Sequence, residues 1–429
     1  LKDLDLMIAS ATERESWHYL GVAQILKAYS FSMMVDVWGN VPYTEFGLGT
    51  ANPFPKFDEG EEIYPKLLVL LEDAVENLEK ESNEVLENDL IFSNDEDTWK
   101  KFGNALRLKL YNQVKDTPLY DAAAVADIIN NADLPIDVAD GFRLKYTDGN
   151  NPENRHPLFK KDYVDNNASY IDPFFYRIMD GSGEFNPDYT GIVDPRIPYY
   201  FYNQLAGDDP QNPPTSAYYG DFLSIWFASY NIDPNEGFDQ AQSQTLVGLY
   251  PCGGAFDDGS GDTGDADSGL KGAGYQRLYP YFAHLYTMAE LALTKGAPGD
   301  ARDLFEAAMV ASFDEVNDLV AAPITPVDGD DYIEEILALY DDGDDEKKLE
   351  LIMTQKWIAS FGFSVDSYTD YRRTGYPILF DPNADDNPFT VLTRNFPVSF
   401  PYFTDDLAIN PNSDPQRDPG TDKVFWDVD

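Results

Sequence analysis

The stretch SFSMMVDVWGNVPYTEF, residues 30–46, decides how this chain is read. An apolar, helix-like run stops at Trp38-Gly39-Asn40 and becomes Pro42-Tyr43. Upstream, Trp17, Leu20, Ile25 and Tyr29 join the run Phe31 to Val37 in a broad apolar stripe, which predicts a helix over 13–38. Gly39 is the residue type that caps a helix in the left-handed conformation, and Pro42 cannot continue one. The Gly-, Asn- and Pro-rich segment up to Pro55 then reads as an ordered loop.

Working outward, the same logic predicts a series of helices. Asp58 with Glu61 suggests an N-cap and its reciprocal acid, followed by Ile63, Leu67, Leu70, Leu71, Ala74 and Leu78 at helical spacing. Ser93-Asn94-Asp95-Glu96 repeats the capping pattern before Trp99, Phe102, Leu106 and Leu110. LYDAAAVADIINNA predicts a shorter helix. Residues 142–271 differ: they are rich in Pro, Gly, Asn, Asp and aromatics without a sustained period, and read as loops and short strands. Helices resume at YQRLYPYFAHLYTMAELALTKG, with Leu278, Phe282, Leu285, Met288 and Ala292 on one side and Gly296 as a cap. GDARDLFEAAMVASF, DGDDYIEEILALY and DDEKKLELIMTQKWIASFGF follow, the last with Met353, Trp357 and Phe361 one turn apart. The tail from Tyr376 is Pro-rich and irregular. The fold class is therefore mainly α: helix pairs of tetratricopeptide-like length, without a clean repeat signature, carrying a loop-rich excursion. We read 1–429 as a single domain, with 1–140 and 272–365 as scaffold and 141–271 and 366–429 as the ligand-facing part.

Composition narrows function. The 429 residues include 43% hydrophobic and 14% aromatic types, enough for a large core. Against 30 Lys and Arg stand 77 Asp and Glu, a formal net charge of −47. A phosphate backbone would be repelled along its length, which argues against nucleic acid. A surface this acidic stays solvated at high salt, consistent with a saline or marine habitat. The single cysteine, Cys252, rules out an internal disulfide. No stretch is long and apolar enough to span a bilayer.

Motifs for catalysis are missing. His18, His156 and His284 are widely spaced, with no HExxH, no Cys/His cluster, no GxSxG and no phosphate loop. His284 lies in an apolar helix and reads as a core histidine. Gly259, Gly261 and Gly264 match GxGxxG, but in an Asp/Gly loop without the flanking strand and helix that a dinucleotide needs. In the same loop, Asp262, Asp265 and Asp267 offer oxygens at short spacing for Ca2+, or are simply solvated. Carboxylates are so abundant that no pair can be singled out for glycoside hydrolysis.

The aromatics say more. Sugar rings present apolar C–H faces to flat aromatic surfaces, while Asp, Asn and Gln bind hydroxyls. Trp17, Trp38, Trp99 and Trp357 fall in helical stripes and read as core, and Trp426 is near the C-terminus. Trp226 remains, with Tyr218, Tyr219, Phe222 and Tyr230 around it and Asp221 and Asn231 beside them. Two readings stand: a buried strand or short helix, or a ligand platform. YIDPFFYRIMDGSGEF is a second aromatic loop.

AYSFSMMVDVWGNVPYTEF resembles the "WGDVPYSE" segment of the SusD/RagB family, the starch-utilisation D-type lipoproteins of Bacteroidetes. EEIYPKLLVLLEDAVENL, DTWKKFGNALRLKLYNQV, VDPRIPYY, LELIMTQKWIASFGFSVDSYTDYRRTGYP, RNFPVSFPY and KVFWDVD resemble later blocks, in order; the last is similar to a "VWWD"-type tail. The resemblance implies four tetratricopeptide-like helix pairs with an irregular ligand-facing half. It also implies a lipid anchor at the cell surface and no catalysis. The expected ligand is a glycan, or a peptide in some members, and the expected partner a SusC-like TonB-dependent outer-membrane transporter. The matching residues Trp38, Gly39, Pro42, Trp99, Lys101, Phe102, Arg107, Trp357, Arg372, Arg373 and Gly375 read as structural. Cys252 is internal and the family's first segment is largely absent, so the anchor and that segment are expected outside this chain. A pure helical-repeat scaffold that recruits another protein is the remaining reading.

Overall fold

A computed structural model describes residues 1–165, 170–206, 222–224, 244–261, 269–363, 365–379 and 396–428. The architecture is mainly α-helical, as the periodicity predicts. The helix expected over 13–38 is two helices, α1 (Lys2–Arg14) and α2 (Trp17–Trp38). The break lies at Glu15, which takes a left-handed conformation (φ 55°, ψ 37°), and at Ser16, whose hydroxyl donates to Glu84 Oε2 at 2.9 Å. Helix α2 is buried on nearly every side because α1, α3 (Gly60–Leu78), α4 (Glu96–Gln113) and α11 (Val365–Thr374) all pack on it. Gly21 permits the closest of these approaches: a Cβ there would lie 2.7 Å from Leu78 Cγ and 2.8 Å from the Ala74 carbonyl.

The opening stretch is a pinned corner. Gly39 has φ 78° but ψ −102°, so it turns the chain without forming a left-handed cap. Asp58 is not the N-cap of α3. It accepts hydrogen bonds from the backbone N–H groups of Tyr43 and Thr44, each at 2.8 Å, and from the Thr44 hydroxyl at 2.7 Å. An antiparallel bridge between Val41 and Asp58 completes the clamp. The free N–H of Gly60 at the start of α3 is met instead by Asn40 Oδ1 at 3.1 Å. Tyr43 and Phe46 fold back edge-on against the buried Phe31.

Aspartate caps open α4, α5 and two later helices, 301–317 and 345–359. Asp95 caps α4 by accepting from the N–H groups of Asp97 and Thr98, and Trp99 Nε1 donates to Asp89 at 2.8 Å. Asp121 caps α5 (Ala122–Asn131). After α5, β1 (Phe142–Lys145) and β4 (Tyr275–Tyr279) pair antiparallel, and β2 (Phe201–Tyr202) pairs with β3 (Leu246–Val247). The segment YQRLY, expected to open a helix, is therefore β4. Pro280 ends the strand, α7 (Tyr281–Lys295) starts after it, and Leu278 lies in the strand. Gly296 is the left-handed cap expected of it. Helices α8 (Ala301–Asn317), α9 (Asp330–Asp342) and α10 (Asp345–Ala359) complete the second helical block. Among the described residues the tail is irregular apart from α12 (Thr404–Ile409), and it returns to the first block. Trp99 is core, whereas Trp17, Trp38 and Trp357 are half-buried and Trp426 is fully buried.

Two buried charged nodes join these pieces. In the first, Glu290 of α7 accepts from Arg373, from Lys115 Nζ at 2.7 Å and from Asn112 Nδ2 at 2.8 Å. Asp370 binds Arg373 and Lys356, each at 2.7 Å. Burial would raise the Glu290 carboxyl, but Arg373 and Lys115 outweigh it and hold that carboxyl well below the usual range. In the second node, Asp36 of α2 accepts from the Tyr64 hydroxyl and from Trp426 Nε1 at 2.9 Å, and the Asp36 carbonyl accepts from Arg372 at 2.5 Å. Arg372 lies over the Trp426 ring at 4.6 Å and also holds the Val398 carbonyl. Here burial dominates and pushes Asp36 up to about 6, against the opposing pull of Lys109, Tyr64 and Arg372.

Removing Glu290 leaves buried Lys115 without its ion-pair partner and Arg373 with Asp370 alone, so Glu290→Ala is expected to cost about 3–5 kcal/mol in urea unfolding. Breaking the exposed Arg302–Asp341 pair with Arg302→Ala is expected to cost at most about 1 kcal/mol. A second test uses pH. Asp36 binds its proton more tightly folded (about 6) than unfolded (3.8), so its stabilising effect is present below pH 4 and lost as pH rises through 6. The stability of wild type relative to Asp36→Asn should therefore fall by about 2–3 kcal/mol between pH 4 and pH 7.

Candidate functional site

The loop-rich half is anchored to the helices by arginines. Arg196, with no solvent access, binds Asp194 through two nitrogens at 2.9 and 2.6 Å and reaches Ser312 Oγ at 2.9 Å in α8. Glu315, also in α8, receives Arg277 Nε at 2.8 Å and Arg143 Nη1 at 3.0 Å, which fastens the β1–β4 pair. Irregular backbone can be held rigid in this way without regular secondary structure.

Above these anchors lies a floor of rings. The aromatic loop YIDPFFYRIMDGSGEF contains a helix, α6 (Pro173–Met179), capped by Asp172, which accepts from Phe174 N–H at 2.8 Å. Phe175 stacks on Phe361 with centroids 5.0 Å apart and meets Trp357 edge-on at 4.8 Å. Tyr200 stacks between Tyr250 at 4.8 Å and Phe361 at 5.2 Å. Most of these ring faces are spent on one another.

Of the platform residues named from the sequence, Trp226, Tyr218, Tyr219, Tyr230, Asp221 and Asn231 lie outside the described residues. Phe222 is described, and it is core: fully buried, stacked on Tyr176 at 4.4 Å and met edge-on by Phe201 at 5.4 Å. With both neighbours in place it has no open face for a sugar. The two residues after it are tied down. Leu223 exchanges hydrogen bonds with Thr245 (2.9 Å to Oγ1, 2.8 Å from its N–H), and the Ser224 hydroxyl donates to the Ile171 carbonyl. Phe222 therefore roots the aromatic segment in the fold, and half-buried Tyr176, which periodicity did not single out, is the ring beside it.

Asp262, Asp265 and Asp267 also lie outside the described residues, as does Gly264. At the described end of that loop, Asp257 is committed to structure: it accepts from Asn203 N–H at 3.1 Å, Asn203 Nδ2 at 2.9 Å and Gly259 N–H at 2.9 Å. Gly261 (φ 64°) packs where a Cβ would lie 2.0 Å from the Ala206 nitrogen, so its role is close packing. Among the described residues, turns and β4 follow the loop, not the helix N-terminus a dinucleotide requires.

The histidines occupy three separate settings. His18 Nε2 sits 3.0 Å from the Lys80 carbonyl, and His156 Nδ1 accepts from Leu158 N–H at 3.2 Å. His284 is buried in α7, as a core histidine should be. Burial lowers His284 to about 4; burial and Arg277 lower His156 to about 4. Among the described residues no three His, Cys, Asp or Glu side chains are grouped to hold a metal ion. No described helix is long and apolar enough to cross a membrane. Two surface cavities stand out: one of about 790 Å³ beside the Arg14–Glu84 ion pair, and one of about 480 Å³ at the Trp38 corner.

A family model for SusD-like proteins, described as starch-binding and associating with the outer membrane, matches residues 1–397. No curated protein matches the chain. Solved structures share the fold. A chitin-binding SusD homologue from Flavobacterium johnsoniae is 22% identical with a TM-score of 0.66, covering 96% of this chain and 81% of that one. A SusD homologue from Bacteroides fragilis is 20% identical with a TM-score of 0.70, covering 95% and 82%. One from Bacteroides uniformis is 20% identical with a TM-score of 0.70, covering 100% and 85%.

If Phe222 is the root of this face, Phe222→Ala should destabilise the protein by about 3–5 kcal/mol, the cost of an emptied aromatic site. Urea titration checks this; an unchanged midpoint would return Phe222 to the surface.

Proposed function

The chain belongs to the SusD-like family, and from that premise we propose that it is a non-catalytic outer-membrane receptor. It binds oligo- or polysaccharide and passes it to a partner TonB-dependent transporter. The observation that carries this reading is the family match over residues 1–397, supported by the fold shared with a chitin-binding homologue. The chain's own chemistry agrees with it. The ring-rich half is braced by Arg196–Asp194 and Arg277–Glu315, which suits capture by preset surfaces. In our reading Trp226, with Tyr218, Tyr219 and Tyr230, stacks on the C–H faces of sugar rings, and Asp221 and Asn231 accept or donate to hydroxyls. A net charge of −47 disfavours acidic glycans and favours neutral ones.

Isothermal titration with chito- and malto-oligosaccharides tests this. Wild type is expected to bind in the micromolar-to-millimolar range. Trp226→Ala is expected to bind about tenfold more weakly, the equivalent of about 1.4 kcal/mol, with an unchanged melting temperature. Prolonged incubation is expected to release no new reducing ends. Sugar turnover would contradict the reading, and so would glycans that stay silent while peptides bind.

A further inference from the structure

The cavity at the Trp38 corner is not used by the ring-lined half and belongs to a different part of the chain. Its walls come from the end of α2 and the loop after it on one side, and from residues 400–406 of the tail on the other. Trp38, Phe57, Phe400 and Phe403 supply rings, and Thr404 and Asp406 supply a hydroxyl and a carboxylate. The volume, about 480 Å³, falls within the roughly 300–1,000 Å³ typical of small-ligand sites.

The site is built rather than left over. Trp38 Nε1 donates to the Pro401 carbonyl at 3.2 Å, and Phe400 N–H donates to the Val37 carbonyl at 2.9 Å. The Tyr402 hydroxyl donates to the Asn40 carbonyl at 3.0 Å, while Gln416 holds both main-chain groups of Tyr402 at 2.7 and 2.9 Å. Phe57 meets Tyr402 edge-on at 5.1 Å, and Trp38 meets Phe400 edge-on at 6.4 Å. With the indole N–H already engaged, what Trp38 offers a ligand is its face. Phe403 is nonetheless 69% exposed and Phe400 45% exposed, so two rings held beside a cavity stand in water.

The charges around the cavity select the ligand. The nearby guanidinium of Arg417, which closes over Gly39, is committed to Ser399 Oγ at 3.1 Å and to the carbonyls of Asp422 and Lys423. Asp406 lines the cavity, Asp405 precedes it in the first turn of α12, and the protein as a whole is strongly acidic. An anion is repelled there. A neutral, hydroxylated ligand with apolar C–H faces matches both the rings and the carboxylate. We propose that the groove formed by Trp38, Phe57, Phe400 and Phe403 is a second binding subsite for a neutral oligosaccharide, with Asp406 and Thr404 taking its hydroxyls. This rests on the glycan-binding reading above and adds a place on the fold that the ring-rich half does not include.

The test uses protein labelled with 5-fluorotryptophan, with the Trp38 resonance assigned through Trp38→Phe. Chitohexaose and maltohexaose are titrated into wild type, Trp226→Ala and Phe403→Ala. The Trp38 signal should shift on sugar addition in wild type and in Trp226→Ala. In Phe403→Ala, where an exposed ring is removed, the same shift should need at least about fivefold more sugar, with melting unchanged. Movement of other tryptophan signals while Trp38 stays still overturns the subsite and leaves glycan binding intact. No response from any tryptophan, with no heat of binding, overturns both. A concentration-dependent dimer that Phe403→Ala abolishes assigns the groove to a second copy and also overturns the subsite.

Discussion

The fold depends on one carboxylate that water cannot reach. Glu290 sits in α7, yet its partners come from elsewhere: Asn112 of α4 and Lys115 just beyond that helix on one side, and Arg373 of α11 on the other. Charges buried in this way must be paired, because desolvation without a partner costs more than most single interactions return. The requirement acts as a geometric constraint. Helices from the first and last thirds of the sequence must meet at one point, and Asp370 extends the same node to Lys356 of α10. Once that point is set, the apolar stripes of α2, α3, α4 and α7 close a continuous core around it.

The irregular half inherits its order from this frame. Arg196, Arg277 and Arg143 reach α8, and each is paired where it lands. The aromatic floor then stacks on Phe361 and Trp357, at and beyond the end of α10. A surface held this way can offer rings to a ligand without reorganising, which is what capture without chemistry requires. The tail is part of the frame as well. Trp426 and Arg372 meet Asp36 in the last turn of α2, so the last residues of the chain brace one of its first helices.

Much of the helical frame was legible because its signal is local. Periodicity located α3, α4, α8, α9 and α10, and the capping pattern Ser93 to Glu96 marked where α4 begins, although the cap is Asp95 rather than Ser93. The failures share a cause. The break at Glu15 needs a left-handed backbone at a residue that carries no sign of it, and Ser16 is satisfied by Glu84 far along the chain. YQRLY reads as helix until β1, more than a hundred residues earlier, is known to pair with it. Asp58 looked like a cap because an aspartate that clamps a loop and one that caps a helix are the same residue before the partners are known. The ligand-facing residues were read by residue type alone, which cannot separate a buried ring from an open one. Phe222 proved to be buried core, and of the exposed rings Phe400 belonged to a block, RNFPVSFPY, whose order in sequence had stood out more than its surface, while Phe403 lies just beyond it.

In the proposed function a rigid helical frame presents preset surfaces which hold a sugar unchanged. Hydrogen exchange read by mass spectrometry, with and without saturating chitohexaose, tests it most directly, provided the sugar is recovered and weighed afterwards. Protection is expected only in 141–271 and in the tail with its corner at 38–58, with no change in α4 or α7 to α10 and the sugar recovered at its original mass. Protection spreading through those helices, or recovery of shortened sugar, would contradict it.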